Sequence, residues 1–460
     1  MCAVSTALRF LLPVVWVAVL GARIAAAEPT KIAVDQAGSS DWPRWRGSAG
    51  AGQGGTQKFP HAWTEADWAW RVDLPGAGHS SPVVWQGKIY TASASRSGAE
   101  SQAAQPAAAT PGKRFVSCHL AVDGALLWQQ EMLGPIEPHH LQNSSASGSV
   151  VTNETGVYWL WATQDNLRAE AFSHAGQRLW HADLGPYECE HGFGASATVW
   201  RDLLIVPIEQ DGPSSVVALE TQTGRTRWRL PRQTEKTAYS TPLVLPGDGL
   251  PQVVLASTSH GLTGIDPASG RVLWERRCFP RRTVSSPIRA DGLVICTCGD
   301  GGGDNALVAV EIPTDKQLAT TRLSTAAITA PPFEPKIVYQ LDRSTAPYVP
   351  TPVCSGKRLY LWGDRGVVVC VAVADGSVIW KGRVGGMFSA SPIVVGGTVL
   401  NVSADGEVVV IADGGAFEIL GRSTLGQASR STPAVVEGRM FFRSVGQLLA
   451  LNCRGPLDPE

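Results

Sequence analysis

Two histidine-bearing segments carry the sharpest chemical signal in the chain. His79 stands directly ahead of Ser80-Ser81-Pro82, and Pro138-His139-His140-Leu141-Gln142-Asn143 leads into a later, degenerate copy of the same strand opening. Imidazole and carboxamide groups both donate and accept hydrogen bonds, so several of them gathered where strands begin, at one end of a body, can form a binding mouth. His79, His139, His140 and Asn143 are therefore the candidate binding residues. A plainer reading stays open, in which these side chains satisfy backbone groups in tight turns. Asp211, within Glu209-Gln210-Asp211-Gly212, follows a central strand and is expected on the opposite face.

Other chemistries find less support. Of 9 Cys, Cys2 precedes an apolar leader, and Cys118, Cys189, Cys278, Cys296, Cys298, Cys354, Cys370 and Cys453 follow it. No paired CxxC motif or close His-Cys cluster suggests a metal. An even number in an oxidising compartment permits disulfides without assigning any, and small buried hydrophobes are an equal reading. The serines recur in Ser-Ser-Pro openings, which argues for structure over a nucleophile. Gly299-Asp300-Gly301-Gly302-Gly303-Asp304-Asn305 has no following helix and lacks the spacing of a calcium loop, so it reads as a long hairpin turn. No catalytic residue, metal or cofactor is assigned.

The elements that must position these residues are strands. The 460 residues include 49 Gly, 31 Pro and 16 Trp with only 17% charged side chains, a composition suited to short strands and tight turns. A net charge of −1, from 39 basic and 40 acidic residues, offers no field for nucleic acid or an anionic membrane. At the N-terminus a basic start, the apolar run Leu11 to Leu20 and Ala25-Ala26-Ala27 predict a signal peptide over 1–27. Its apolar core is too short to span a bilayer, so no membrane span is expected after cleavage.

One pattern repeats along the chain: a Ser/Thr-rich opening ending in Pro, an apolar strand, a Gly turn, two more strands, then Asp, Gly and Trp. Openings occur at Ser80-Ser81-Pro82, at Ala146 to Val151, at Gly194-Ala195-Ser196, at Ser240-Thr241-Pro242, at Ser285-Ser286-Pro287, at Thr351-Pro352, at Ser391-Pro392 and at Thr432-Pro433. A period of roughly 40 to 50 residues repeated in this way predicts an all-β, eight-bladed β-propeller with four-stranded antiparallel blades. The last unit has room for only three strands, and Ala69-Trp70-Arg71-Val72-Asp73-Leu74 is an orphan strand ahead of the first opening. It is expected to complete the last blade and remove the exposed edge. Trp70, Trp128, Trp180, Trp228, Trp274 and Trp380 are read as packing between blades. The fifth, seventh and eighth units lack a closing Trp of their own.

The propeller thus covers 68–453, after an N-terminal extension over 28–67 and before a tail at 454–460. Two insertions interrupt the period. Ser95 to Arg114 is expected to be a flexible surface loop, and Ile312 to Pro347 to extend blade five or pack over one face.

Asp41-Trp42-Pro43-Arg44-Trp45-Arg46-Gly47, the Gly76 to Pro82 opening and the Ala-x-Asp-x-x-Thr-Gly-x-x-x-Trp-like closures resemble exported PQQ-like (pyrroloquinoline-quinone repeat) propeller proteins of the planctomycete type. The resemblance covers the chain from about Asp41 onward. It implies a fold similar to the propeller lipoprotein of the outer-membrane β-barrel assembly machinery and to the ring of quinoprotein alcohol dehydrogenases. For the latter it implies adjacent cysteines, a catalytic Asp and calcium ligands. No adjacent Cys pair exists, and Cys296-Thr297-Cys298 comes nearest.

The expected function is a non-catalytic scaffold in the periplasm or outside the cell, a monomeric ring that binds an envelope protein or peptide. Two alternatives are a glycan or small-molecule binder, for which Trp159, Trp161, Trp200 and Trp362 are candidate stacking residues, and a quinoprotein dehydrogenase-like oxidoreductase.

Overall fold

A computed structural model describes Met1 and residues 41–96, 109–246, 250–301, 303–323, 332–436 and 438–453, so the expected signal peptide and the tail lie outside the described residues. The described chain forms eight four-stranded sheets in which every neighbouring pair is antiparallel. In seven blades the strands follow chain order from the axis outward. The eighth holds Ala434–Val436, Arg439–Arg443 and Gln447–Asn452, and its outer strand is Trp68–Asp73, in register Trp70↔Ala450 and Val72↔Leu448. The N-terminal strand therefore closes the ring as expected, and the C-terminal edge is paired.

The ring has two faces. One carries the connectors from each outer strand to the next inner strand, together with the hairpins between second and third strands. The other carries the turns between first and second and between third and fourth strands.

Closing aromatics dock on the turn face. The indole N–H of Trp70 donates to Ala121 O, Trp128 to His174 O, Trp180 to Thr221 O, Trp228 to Pro267 O and Trp380 to Gly414 O, at 2.8–3.2 Å. Each acceptor lies in the outer turn of the following blade. Gly270 shows why glycine sits there: its φ is +73°, and an added Cβ would come 2.5 Å from the Trp228 ring.

Trp274 departs from the pattern. The following blade has the Ile312 insertion where its tight turn would be, and the Trp274 N–H turns back to Gln252 Oε1 of its own blade at 2.6 Å, although the ring still packs in the cluster shared with blade five. The same insertion contains the helix Asp315–Leu323 and the strand Ile337–Leu341, which completes blade five. Tyr339 pairs there with Ala309 and packs on Gly376, so a tyrosine fills the place of the missing tryptophan.

In the seventh blade the equivalent position is Gly421, opposite Val410. The carbonyl of His61 crosses it, 2.2 Å from where a Cβ would stand. The N-terminal chain supplies the aromatic instead: Trp63 donates its backbone N–H to Ser423 Oγ at 2.7 Å and packs against Phe442 and Trp68, ring centroids 5.6 and 5.8 Å away.

The insertion at Ser95 to Arg114 needs correction at its edges. Lys88–Arg96 and Thr110–Leu120 are strands, with Ser95 opposite Lys113 and Arg96 opposite Gly112. Arg114 is itself part of this hairpin, opposite Ala94, and is 1% exposed. Composition concealed the extension, because the pairing residues flank the Ala-, Ser- and Gln-rich stretch in the sequence.

Candidate functional site

At the axis the repeated openings form a ring of hydrogen bonds. In seven of the eight blades the backbone N–H at the last hydroxyl position of the opening donates to the hydroxyl at the same position in the next blade, the step from Ser196 to Thr241 being the exception. Ser81 donates to Ser149, Ser149 to Ser196, Thr241 to Ser286, Ser286 to Thr351, Thr351 to Ser391, Ser391 to Thr432, and Thr432 back to Ser81, all at 2.8–3.1 Å. Blades two and three have lost the Pro but kept Ser149 and Ser196. The hydroxyl is therefore the indispensable part of the motif, since it satisfies an N–H that no sheet ladder reaches.

The segment Trp42 to Gly47 seals this ring from the turn face. Trp42 pairs with Val84, and Pro43 O accepts from the Thr152 N–H. Arg44 donates to Thr198 Oγ1, and Trp45 Nε1 to Thr432 Oγ1 at 3.3 Å. Arg46 donates to the carbonyls of Thr351, Pro352 and Pro392 at 2.8–3.3 Å. Arg44 and Arg46 are 6% and 1% exposed, and burial pushes their guanidinium pKa values down to about 10 and 9. Both stay cationic at neutral pH.

The connector face holds the candidate residues, but not as one pocket. His79 lies at the mouth beside Arg430 and Arg443, and its carbonyl accepts from Ser431 Oγ at 3.0 Å. Burial first, then the charges of Arg430, Arg443 and His139, lower its pKa to about 3, so it is neutral. His139 Nδ1 lies 2.9 Å from Glu137 O and lines a small cavity that excludes His79, His140 and Asn143. Burial, followed by Arg96 and Arg114, also lowers its pKa. Asn143 holds a loop together, donating to His191 O and Phe193 O at 2.8 and 3.3 Å and accepting from the Ser144 N–H. His140 is exposed, and its ring faces that of His191 at 4.9 Å.

Asp211 lies on this same connector face, which corrects the sequence expectation. Its carboxylate accepts from the backbone N–H of Glu190 and Thr237 and from the Thr237 hydroxyl, so it fastens two connectors. A hairpin between second and third strands returns to the face where the next inner strand starts, a relation that requires the strand order to be known.

Sequence reasoning passed over a neighbouring group. Arg282, 6% exposed, bonds Glu190 at 3.0 Å, and the rings of Tyr239 and Tyr348 pack over Gly194 and Gly299. Tyr239 and Arg430 both stand two residues before the ring hydroxyl of their opening, as His79 does. That offset was the available signal. The four extra tryptophans are poor stacking platforms: Trp159, Trp161, Trp200 and Trp362 are 1%, 3%, 5% and 0% exposed.

A family model described as outer membrane protein assembly factor BamB matches residues 113–339 and 303–455. The chain belongs to this family. No curated protein sequence matches it significantly. Among solved structures it is similar to BamB from Moraxella catarrhalis, at 16% identity over 85% of this chain and 98% of that one, with a TM-score of 0.58. It is also similar to the quinohemoprotein alcohol dehydrogenase of Comamonas testosteroni, at 12% identity over 92% and 82% of the two chains, TM-score 0.60. The computationally designed protein Ika8 matches at 12% identity over 84% and 99%, TM-score 0.54. At these identities the structural likenesses show the eight-bladed ring alone. What the BamB family adds comes from the sequence match.

Proposed function

We propose that the chain is an exported, non-catalytic propeller that docks an envelope protein or peptide on its connector face. The observation that carries this reading is the placement of Arg44 and Arg46. The axis is where a ligand touching all eight blades would lie, and the chain's own buried guanidinium groups take it from one side. A calcium-quinone pair needs oxygen donors for the cation. The axial residues are themselves cations, and the described residues contain no group of three His, Cys, Asp or Glu placed to hold a metal. The residues present do not fit that cofactor. Cys296 and Cys298 are each 0% exposed in a strand, and all eight described cysteines are free.

The family's description as an assembly factor for outer membrane proteins supports an envelope partner and export. No helix among the described residues is long and apolar enough to cross a membrane. A photo-crosslinking residue placed at Leu141, in a connector, should capture an envelope protein, whereas one at Val122, in an outer turn, should not. Both positions are exposed. Equal labelling from the two faces, no adduct from either, or quinone-dependent dye reduction by the purified chain would defeat the proposal.

A further inference from the structure

Blades one and two enclose a cavity of about 30 Å³ on the connector face. That is room for more than a single water centre. Its wall includes Arg114 and Glu137 of blade one, His139, and the loop residues Ser144, Ser145 and Ser147. Arg114 is the unusual member. Its Nη2 donates to Pro135 O and Ala162 O at 2.7 and 3.2 Å, and its guanidinium lies 4.7 Å over the Trp161 ring. Its Nε and Nη1 are buried without a partner.

Burial lowers the Arg114 pKa to about 10, with Glu137 acting in the other direction, so the group remains charged at neutral pH. No carboxylate of the described residues forms an ion pair with it. A buried guanidinium with unmet N–H donors is costly unless an anion completes it. Ser144 Oγ and Ser147 Oγ, 3.0 Å apart, supply hydroxyls that can rotate to donate. Arg114 and Glu137 are the charged side chains of the wall, and the Arg114 charge also acts on His139.

We propose that this cavity takes a carboxylate group of a docking peptide, paired with Arg114 Nη1 and the loop hydroxyls. Leu133 and Leu141, 70% and 76% exposed in the chain segments leading into the cavity, would cover the apolar neighbours of that carboxylate. The inference rests on the scaffold reading and names the chemistry its partner must present. The carboxylate can belong to an Asp or Glu side chain or to a chain terminus.

The test uses the full exported chain and acetate as the probe, at constant ionic strength, following the line width of the acetate methyl signal. Saturable broadening in the millimolar range is expected. Ser145→Phe, at a half-exposed position, fills the cavity and should weaken binding roughly tenfold or more, as should Arg114→Met. Should Arg114→Met fail to fold, Ser145→Phe carries the test alone. A short Leu-Glu-Leu peptide then separates the sources: loss of binding on Glu→Gln assigns the side chain, and loss on C-terminal amidation assigns the terminus. Absent broadening, or broadening unchanged by Ser145→Phe, overturns the carboxylate site. If crosslinking from Leu141 survives that outcome, the docking face stands and only its chemistry is wrong.

Discussion

The backbone N–H of Thr432 donates to the hydroxyl of Ser81 at 2.9 Å, which joins the inner edge of the last blade to that of the first. The outer edge of the same blade is completed by Trp68–Asp73. Closure is thus made twice, and the inner closure belongs to a repeating set in which seven hydroxyls each satisfy a buried N–H of the preceding blade.

Removing one hydroxyl should expose the value of that set. Ser149→Ala leaves the Ser81 N–H without its acceptor in a buried site and should cost about 1–3 kcal/mol. Ser145→Ala, one loop away and partly exposed, should stay within about 0.5 kcal/mol. Urea denaturation of the two variants beside the parent measures both, and equal midpoints would remove the ring from the account of stability.

Arg46 should prove as important as any core residue. Three backbone carbonyls from blades six and seven lose their donor in Arg46→Ala, and Arg46→Lys cannot present the same planar fork. Both variants should be destabilised by about 2 kcal/mol or more. Limited proteolysis should then cut first within residues 41–66, because the plug anchors that segment. Cleavage that begins elsewhere, at the parent's rate, would show that the segment is held by its other contacts, from Trp42, Pro43, Arg44 and Trp45.

The repeat grammar made blade number, strand order and closure legible, because Pro, Gly and Trp each mark a local backbone or packing demand. It could not show who answers a missing Trp. Tyr339 sits within an insertion and Trp63 lies some 360 residues before its partner Ser423, so both substitutions depend on contacts between distant segments. The site was less legible than the fold. In the sequence Ser81 is punctuation before a strand, although its hydroxyl is one link of the ring. Arg46 stands in the sequence only as part of the Asp41 to Gly47 motif, with nothing local to mark its mechanical role. Of the histidine group, only His139 lines the cavity, since Asn143 is spent on the backbone of a neighbouring connector.

Buried histidine sets an acid limit on the fold, and His119 is the clearest case. It is 3% exposed on the strand Thr110–Leu120, its Nδ1 has no partner, and burial lowers its pKa from 6.5 to about 4. The native state therefore holds this imidazole neutral, while the unfolded chain protonates it below about pH 6.5. Unfolded molecules bind more protons in that window, so stability is fully present above it and falls as pH drops from 6.5 toward 4. The difference in pKa corresponds to at most about 3 kcal/mol. His79, lowered to about 3, acts in the same sense and extends the loss further into acid. His119→Gln removes the first contribution, so unfolding free energy measured by urea at pH 7 and at pH 4.5 should decline less in the variant than in the parent. The comparison between the two chains cancels the carboxylates, which titrate alike in both. Parallel declines would mean that the native state admits the proton at His119, and that burial there is too shallow to exclude it.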